Sequence, residues 1–248
     1  MQVIYSSVKA VVTGAYHSMV LRQDGSVWGT GSNGFGQLGM DLRLVYDENH
    51  LRFYRVIARD VKAVAAGAFH SLVLMQNGSV WATGRNMFGQ LGDGSRETQT
   101  AFTEVVTDGA HAVAAGHSHS IILSQDSSVW AAGSNVHGQL GDGTSTERHE
   151  FVKVKCSNGK RTQLLSGVVH IAGGFRHSMV VTEDGSVLAT GSNLSGQFGD
   201  GTMNSQDVFT KVAQISDKVG PDATVKGRHP AMTTRAFEGG ESAPLSIF

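Results

Sequence analysis

The sequence has little cysteine, little proline and little charge. Cys156 is the single cysteine, which excludes an intramolecular disulfide and leads us to expect a reducing compartment, the cytoplasm or the nucleus. Of the 248 residues, 3 are proline and 17% are charged, and the formal net charge is −1. A chain without a basic excess lacks the attraction to phosphate that general nucleic-acid binding requires, so we expect no direct nucleic-acid partner.

Long apolar runs are also missing. The residues from Met1 to Lys9 lack both the charged start and the long apolar stretch of a signal peptide. No stretch of the sequence is long and apolar enough for a membrane-spanning helix. We therefore expect a protein that is neither secreted through a signal peptide nor embedded in a membrane.

Glycine is abundant, with 32 residues, and it is arranged in a repeat. A string that begins at Gly14 recurs at Gly67, Gly116 and Gly174 without a gap. Each copy carries a histidine and an asparagine at fixed places, which gives the sets His17, His70, His119, His177 and Asn33, Asn86, Asn135, Asn193. Repeats of this length indicate a solenoid, a propeller or an array.

Each unit predicts four short β-strands. In the second copy, strand-like runs occupy residues 61–66, 71–75, 79–83 and 102–106, and none has a helical period. The dipeptide Asn77-Gly78 favours a two-residue hairpin, because both positions tolerate positive φ. Since one such sheet cannot bury both of its faces, it must stack against a neighbour. The sequence therefore predicts an all-β fold of propeller-type blades, each with four antiparallel strands.

The repeated polar and aromatic positions have a structural interpretation. We expect each repeat histidine to be partly buried and to bond to backbone near a turn, and each repeat asparagine to hold loop backbone that has no strand partner. Trp28, Trp81 and Trp130 share one repeat position, which Leu188 occupies in the fourth copy. We expect this position to contribute to packing between blades.

The repeats define the domain organisation. Residues 1–212 hold four repeats with cores at 14–39, 67–94, 116–143 and 174–201, and residues 213–248 are interpreted as a degenerate or truncated fifth repeat that is partly disordered. Four units and a remnant predict an incomplete propeller, an arc in which the first and last blades do not touch.

The linker of residues 142–173 is the longest and carries a cluster of basic residues. Asn158-Gly159 is placed as a turn, so we expect a short protruding hairpin with a basic tip. The linker is either an ordinary solvated loop or a contact for a partner. The residues of that possible contact are Arg148, Lys153, Lys155, Lys160 and Arg161.

The string Val-Ala-Ala-Gly-Ala-Phe-His-Ser-Leu-Val-Leu at 64–74, followed by Gly-Arg-Asn-Met-Phe-Gly-Gln-Leu-Gly-Asp-Gly at 84–94, resembles the regulator of chromosome condensation repeat family. The resemblance covers roughly residues 8–212. It implies a propeller, usually of seven blades. It also implies one of two functions: a protein-binding segment, as in larger signalling or ubiquitin-ligase chains, or a guanine nucleotide exchange factor for a Ran-like small GTPase, as in the founding member.

No pattern in the sequence indicates a catalytic, cofactor or metal site. Residues 29–34 match a dinucleotide fingerprint formally, but no helix follows them. The repeat histidines lie one per blade around a ring, which is too far apart for one zinc ion, and the pair His117 and His119 would need a third ligand such as His111 or His137. The plant ultraviolet-B receptor, which resembles this family, repeats Gly-Trp-Arg-His-Thr and would imply light sensing. We exclude this function, because no tryptophan occupies the corresponding residues 15–16, 68–69, 117–118 or 175–176. We expect a non-enzymatic scaffold for protein partners.

Overall fold

The computed structural model describes residues 7–40, 49–157, 159 and 161–212, and only the backbone of residues 49 and 50. These residues form eighteen β-strands without a helix. Accordingly, this part of the chain contains no helical segment with the length and hydropathy needed to cross a membrane. Residues 213–248, which the sequence assigns to a fifth repeat, lie outside the described residues.

Sixteen of the strands form four blades. The first blade contains β1 (Val8–Thr13), β2 (His17–Arg22), β3 (Val27–Ser32) and β4 (Asn49–Ile57); the second contains β5 (Val61–Ala66), β6 (His70–Met75), β7 (Val80–Gly84) and β8 (Gln99–Val106). The third contains β9 (Ala110–Ala115), β10 (His119–Ser124), β11 (Val129–Gly133) and β12 (Arg148–Lys153); the fourth contains β15 (Val168–Gly173), β16 (His177–Thr182), β17 (Val187–Gly191) and β18 (Gln206–Lys211). In every blade, neighbours in sequence pair antiparallel, which confirms the predicted all-β architecture.

The turn between the second and third strands of a blade differs from the sequence expectation. In the second blade, Met75 N donates to Ser79 O at 2.9 Å, so the turn contains three residues rather than two. Only Gly78 among them has positive φ, at 85°. Asn77 instead accepts hydrogen bonds through Oδ1 from the Ser79 amide, at 3.0 Å, and from the Ser79 hydroxyl, at 2.8 Å. This side-chain cap satisfies Asn77 without a left-handed backbone, and the glycine alone provides the reversal.

The hydrophobic core is divided into clusters that lie between neighbouring blades. One cluster joins Leu74 and Leu91 of the second blade to Ala110 and Ile122 of the third. Equivalent clusters join the first blade to the second and the third to the fourth. Trp81 packs against the cluster between the first and second blades, and Trp130 packs against the cluster between the second and third. Each fully buried leucine contributes about 2 kcal/mol, so most of a blade's stabilisation depends on the sheet beside it.

The long linker forms an additional hairpin of β13 (Lys155–Ser157) and β14 (Thr162–Leu164). A hairpin at this place is predicted by the Asn158-Gly159 turn. Strand β13 pairs parallel with β18, with Cys156 opposite Phe209, so the fourth sheet contains six strands. The sequence did not indicate this pairing. The buried side chains of Val154 and Leu165 flank the hairpin and anchor it in the core between blades three and four.

Candidate functional site

The repeat histidines connect each blade to the next one. His17 Nε2 lies 2.8 Å from Ser71 Oγ, and His70 Nε2 lies 3.0 Å from Ser120 Oγ. The third bond joins His119 Nε2 to Ser178 Oγ at 2.9 Å. Each bond runs from the histidine of one repeat to the serine that follows the histidine of the next repeat. We call this series the His–Ser ladder.

The serine's second hydrogen bond determines the tautomer of the histidine. Ser71 Oγ donates to Gln37 O at 2.7 Å, and Ser120 and Ser178 donate in the same way to Gln90 and Gln139. Since each hydroxyl proton is used there, the hydroxyl oxygen accepts from the imidazole Nε2–H. The Nδ1 atoms of the three ladder histidines are then unprotonated, and they are buried without a hydrogen-bond partner.

Burial keeps the ladder histidines neutral. It lowers the pKa of His17 to about 4 and the pKa of His70 and of His119 to about 3. Desolvation is the largest cause in all three, because a positive charge is unfavourable in a dry interface. Nε2 is occupied by the serine and Nδ1 is enclosed, so these rings have no position for a substrate. Among the described residues, no group of three or more His, Cys, Asp or Glu side chains has a metal-binding arrangement.

The glycine three residues before each repeat histidine is explained by the imidazole itself. A Cβ atom built on Gly67 would lie 2.1 Å from His70 Cε1 and 2.6 Å from Gly116 O. Gly14, Gly116 and Gly174 have the same relation to their own histidines. The first glycine of the motif is thus required for space, and it is not among the glycines with positive φ.

The glycine-rich loops are held by the repeat asparagines and glutamines. Asn86 Oδ1 accepts from the Leu91 amide at 3.0 Å, and Gln90 Oε1 accepts from the Phe88 amide at 3.0 Å. Asn33, Asn135 and Asn193 make the equivalent bond to the residue five positions later. These buried side chains replace the missing strand partners, so each loop presents its exposed residues from a fixed backbone.

An aromatic row crosses all four blades at the end of the sheets where these loops lie. The aromatic rim, as we call it, consists of Tyr16, Phe35, Phe69, His117 and Phe175. Neighbouring ring centroids are 5.7 Å apart for Tyr16 and Phe69, and 6.2 Å apart for Phe69 and His117. His117 and Phe175 are 4.5 Å apart, and Phe35 packs on Phe69 at 5.4 Å.

Most of the aromatic rim faces solvent. Tyr16 is 67% exposed, Phe175 58% and Phe35 37%, whereas Phe69 and His117 are half-buried. Each of the last three loops adds one exposed apolar side chain, namely Met87, Val136 and Leu194. Exposed aromatic and methionine side chains in a continuous patch are typical of protein-binding surfaces.

Two arginines lie over the rings of the rim. Arg85 Cζ is 5.2 Å from the Phe35 ring centroid and 5.7 Å from that of Phe69, and Arg176 Cζ is 5.0 Å from the Phe175 ring. Within the described part of the chain, neither guanidinium forms an ion pair, unlike Arg96 and Arg148. The pKa of His117 is lowered, first by burial and then by the positive charges of Arg176 and Arg85. The rim therefore carries two arginines that have no ion-pair partner among the described residues.

A notch opens in the rim between the third and fourth blades. Its volume is about 270 Å³, and its lining includes His117, Ser118, Val136, Phe175 and Arg176. The notch combines an apolar wall with a cation at its edge. We refer to it below as the rim notch.

The described basic residues of the predicted linker contact lie on different elements. Arg148 lies on β12 and pairs with the buried Asp142 at 2.7 Å, and Lys153 Nζ lies 5.0 Å from the Trp130 ring. Lys155 is on β13, Arg161 stands exposed just before β14, and Lys160 lies outside the described residues. Two of the five cations thus serve contacts within the blades, and the hairpin as a partner contact stays a prediction.

Sequence reasoning missed the aromatic rim. Tyr16 and Phe69 precede their repeat histidines by one residue, whereas His117 and Phe175 precede theirs by two. Aligning the copies position by position therefore separates side chains that are adjacent in space. The available signal was the presence of an aromatic residue in every one of the four two-residue segments before the histidines.

Comparison with known proteins identifies the family of these repeats. The Regulator of chromosome condensation (RCC1) repeat matches residues 8–37, 61–90, 110–139 and 168–197, and a second description of the same repeat matches 77–123 and 126–181. The chain belongs to the RCC1 repeat family. The four segments of the first description each cover the first three strands of a blade and most of the following loop.

The curated relatives that this chain matches are much longer than it is. The chain is 37% identical over 82 residues to the probable E3 ubiquitin-protein ligase HERC4 of Rattus norvegicus, which covers 33% of this chain and 8% of that protein. It is 30% identical over 253 residues to the human probable E3 ubiquitin-protein ligase HERC6, covering 92% of this chain and 20% of that protein.

Solved structures that match this chain share its fold. Yeast RCC1 (Prp20) bound to Kap60 superimposes with a TM-score of 0.73 at 22% identity, over 87% of this chain and 50% of Prp20. Human WBSCR16 gives 0.72 at 23% identity, over 85% of this chain and 56% of that chain. A further Prp20p structure from Saccharomyces cerevisiae, which concerns its binding to Gsp1p and histones, gives 0.73 at 22% identity over 86% of this chain and 52% of that one. This chain covers about half of the length of each of these three chains.

Proposed function

We propose that this chain is a non-enzymatic RCC1-type scaffold that binds a protein partner through the aromatic rim, in the cytoplasm or the nucleus. The observation that supports the proposal is the contrast between the rim and the repeat motif beneath it. The motif's histidines, serines, asparagines and glutamines are used in internal hydrogen bonds. The rim's aromatic side chains and two arginines are not used in those bonds, and their backbone is held by hydrogen bonds such as those from Arg85 N to Phe69 O and from Ser192 N to Arg176 O.

The composition of the rim supports a protein partner. Tyrosine, phenylalanine, methionine and arginine are enriched in the energetically important centres of protein interfaces. An aromatic side chain has few rotatable bonds, so it loses little conformational entropy on binding. The surrounding backbone is already held in place, so little ordering is required when a partner docks. The repeat scaffold supplies that rigidity.

Partner capture with matched variants tests the proposal. The wild-type chain, the variant Tyr16→Ser/Phe175→Ser and the control Leu51→Ser would be used as baits in extracts of the cells that express the protein. Leu51 is 88% exposed on the outer strand β4, so the control removes a comparable exposed apolar side chain away from the rim.

We expect a set of proteins to be retained by the wild type and by Leu51→Ser and to be lost with the rim variant. Direct binding of one purified member should show the same order. Retention of the same set by the rim variant, with unchanged affinity in the purified pair, would contradict a rim-mediated function.

A second candidate is guanine nucleotide exchange on a Ran-like small GTPase. It is supported by the family likeness to RCC1 and by the likeness of fold to Prp20p, which was studied for its binding to Gsp1p. Such exchange requires no covalent chemistry from the scaffold. Release of labelled GDP from Ran measures it, and no acceleration at micromolar protein would exclude this candidate.

The hairpin β13–β14 is the contact that the sequence suggested for such a partner. Deleting it would remove the pairing of Cys156 with Phe209, so neutralisation is the cleaner test. If the hairpin contacts a partner, Lys155→Gln/Lys160→Gln/Arg161→Gln weakens binding or exchange and leaves the thermal midpoint unchanged. Unaltered binding by this variant would assign the hairpin to the fold alone.

A further inference from the structure

We infer that the aromatic rim binds an acidic linear segment of a protein partner, with one apolar side chain in the rim notch and carboxylates on Arg176 and Arg85. This inference rests on the proposed function and names the chemistry of the partner. It is carried by three features: the notch, the two arginines that lack a carboxylate partner among the described residues, and the aromatic rings between them.

The rim notch provides the place for an apolar side chain. Val136 is 63% exposed and Phe175 58%, and both line the notch together with His117. Covering these surfaces removes apolar area from water, which is the main favourable contribution to docking. The lining also includes the polar Ser118, so a side chain that enters the notch lies close to a hydrogen-bonding group as well.

The arginines provide the place for carboxylates. Arg176 lines the notch and is exposed, and Arg85 lies over Phe35 and Phe69 farther along the rim. The Arg85 guanidinium donates only to the sulfur of Met87 among the described residues. Guanidinium groups bind carboxylates with two parallel hydrogen bonds, and stacking on an aromatic ring restricts the guanidinium before the ligand arrives.

Charge distinguishes a protein segment from a nucleic acid at this surface. The rim presents two arginines, whereas the whole chain has 20 basic and 21 acidic residues. Nucleic-acid affinity depends on many phosphate contacts along a basic surface, and two cations supply few of them. An acidic segment with a single apolar anchor uses both arginines and the notch, so it fits the observed charge better than a polyanion.

Labelled peptides test the inference directly with the full chain. The probe is a short fluorescent peptide in which one leucine is flanked on each side by glutamates. Its controls replace the glutamates by glutamines, the glutamates by lysines, or the leucine by serine. A labelled single-stranded polythymidine is the nucleic-acid arm. Affinity is measured by fluorescence anisotropy at physiological salt and again at high salt.

We expect the acidic leucine peptide to bind at least tenfold more tightly than each control, and more weakly at high salt. Arg85→Gln/Arg176→Gln should lower its affinity at least tenfold. Arg59→Gln is the matched control, because Arg59 is an exposed arginine paired with Asp60, next to Gly25 at the opposite end of the strands. For the notch, Val136→Glu should abolish binding, whereas Leu51→Glu, on the outer strand β4 away from the rim, should change it little.

Several results would overturn the inference. These are equal affinity for the acidic and lysine peptides, tighter binding of polythymidine, or no effect of Arg85→Gln/Arg176→Gln. The capture experiment separates this failure from failure of the proposed function. If captured partners are lost with Tyr16→Ser/Phe175→Ser and retained with Arg85→Gln/Arg176→Gln, the rim binds proteins but not through their carboxylates. If neither variant loses partners, the rim itself is not the docking surface.

Discussion

At the scale of single residues, the repeat motif meets one steric requirement, room for the imidazole, and one hydrogen-bonding requirement, a partner for that imidazole. The imidazole of each repeat histidine occupies the space that a side chain three residues earlier would need, as the pair Gly67 and His70 illustrates. The same imidazole donates to a serine on the next blade, Ser120 in this case. Glycine, histidine and serine therefore recur together, because the glycine leaves room for the histidine and the histidine bonds to the serine of the next repeat.

The steric relation predicts the effect of Gly67→Ala. The backbone of Gly67 has no positive φ, so the added methyl group acts only through its clash with His70 Cε1 and Gly116 O. We expect a loss of about 3 kcal/mol in unfolding free energy, the cost of overpacking a rigid interior. Urea denaturation measures it.

Gly34→Ala is the control for this substitution, because a Cβ atom at Gly34 meets nothing within 4 Å. It should change the unfolding free energy by less than about 0.5 kcal/mol. Adding His70→Ala to Gly67→Ala relieves the ring clash but not the clash with Gly116 O, so it should not restore the wild-type value. Equal stability of Gly67→Ala and Gly34→Ala would contradict the steric explanation.

The ladder histidines predict a loss of stability in mild acid. Their folded pKa values, about 4 for His17 and about 3 for His70 and His119, lie below the ordinary value of 6.5. The unfolded chain therefore binds more protons below pH 6.5, so the stabilisation is complete above that pH and falls as the pH decreases. Between pH 7 and pH 5, each histidine should cost about 2 kcal/mol.

Urea midpoints at pH 7, 6 and 5 measure this loss, in a range where most aspartates and glutamates remain ionised. His119→Gln removes one titrating group, so its stability should fall less steeply over the same range, whatever its stability at pH 7. A midpoint that does not change between pH 7 and pH 5 would contradict the buried neutral histidines.

At the scale of elements, each four-stranded blade has two different faces. One face offers the histidine and the glutamine carbonyl, and the other offers the serine, as in the bonds from His70 to Ser120 and from Ser120 to Gln90. The ladder has two ends within the described residues. Ser18 has no side-chain hydrogen bond there, and the ring of the half-buried His177 has none either.

The position of a serine in the ladder therefore predicts its importance. Ser120→Ala leaves the buried His70 Nε2–H and the Gln90 carbonyl without partners, so we expect it to cost about 2 kcal/mol or more. Ser18→Ala is the same substitution at the start of the ladder and should cost less than about 1 kcal/mol. Thermal and urea denaturation of both variants test this order. A larger loss of stability for Ser18→Ala would contradict the stabilising role of the His–Ser bonds between blades.

At the scale of the whole molecule, stability is shared between neighbours. Leu74 belongs to the second blade and is fully buried, and it packs in the cluster that also contains Ala110 and Ile122 of the third. We expect Leu74→Ala to cost about 3 kcal/mol. We expect its hydrogen-exchange protection to decrease in both the second and third blades and less in the fourth, because repeat proteins couple mainly to adjacent units.

Leu51→Ala, at a residue that is 88% exposed, should leave protection unchanged in every blade. A loss confined to the second blade for Leu74→Ala would mean that the blades are independently stable. A uniform loss that includes the fourth blade would mean that all of them open as one cooperative unit.

The strand positions could be predicted from the sequence, because strand and turn preferences act within a few residues. In the second unit, the runs at 61–66 and 71–75 match β5 (Val61–Ala66) and β6 (His70–Met75) within one residue. The turn at Asn77-Gly78 was placed correctly but given the wrong type. The side chain of Asn77 accepts a hydrogen bond from Ser79, and its backbone does not adopt positive φ. That choice depends on an atomic contact which the dipeptide alone does not specify.

The sequence by itself determined the number of units, their strands and the positions that must be glycine, because these follow from local spacing and from a motif repeated four times. The partners across blades were decided by the tertiary structure alone. His70 meets Ser120 50 residues away, and Tyr16 and Phe175 belong to one aromatic row although they occupy different repeat positions. Such contacts depend on how one sheet rotates against the next, and that rotation is set by the packing of side chains between blades, not by residues adjacent in the chain.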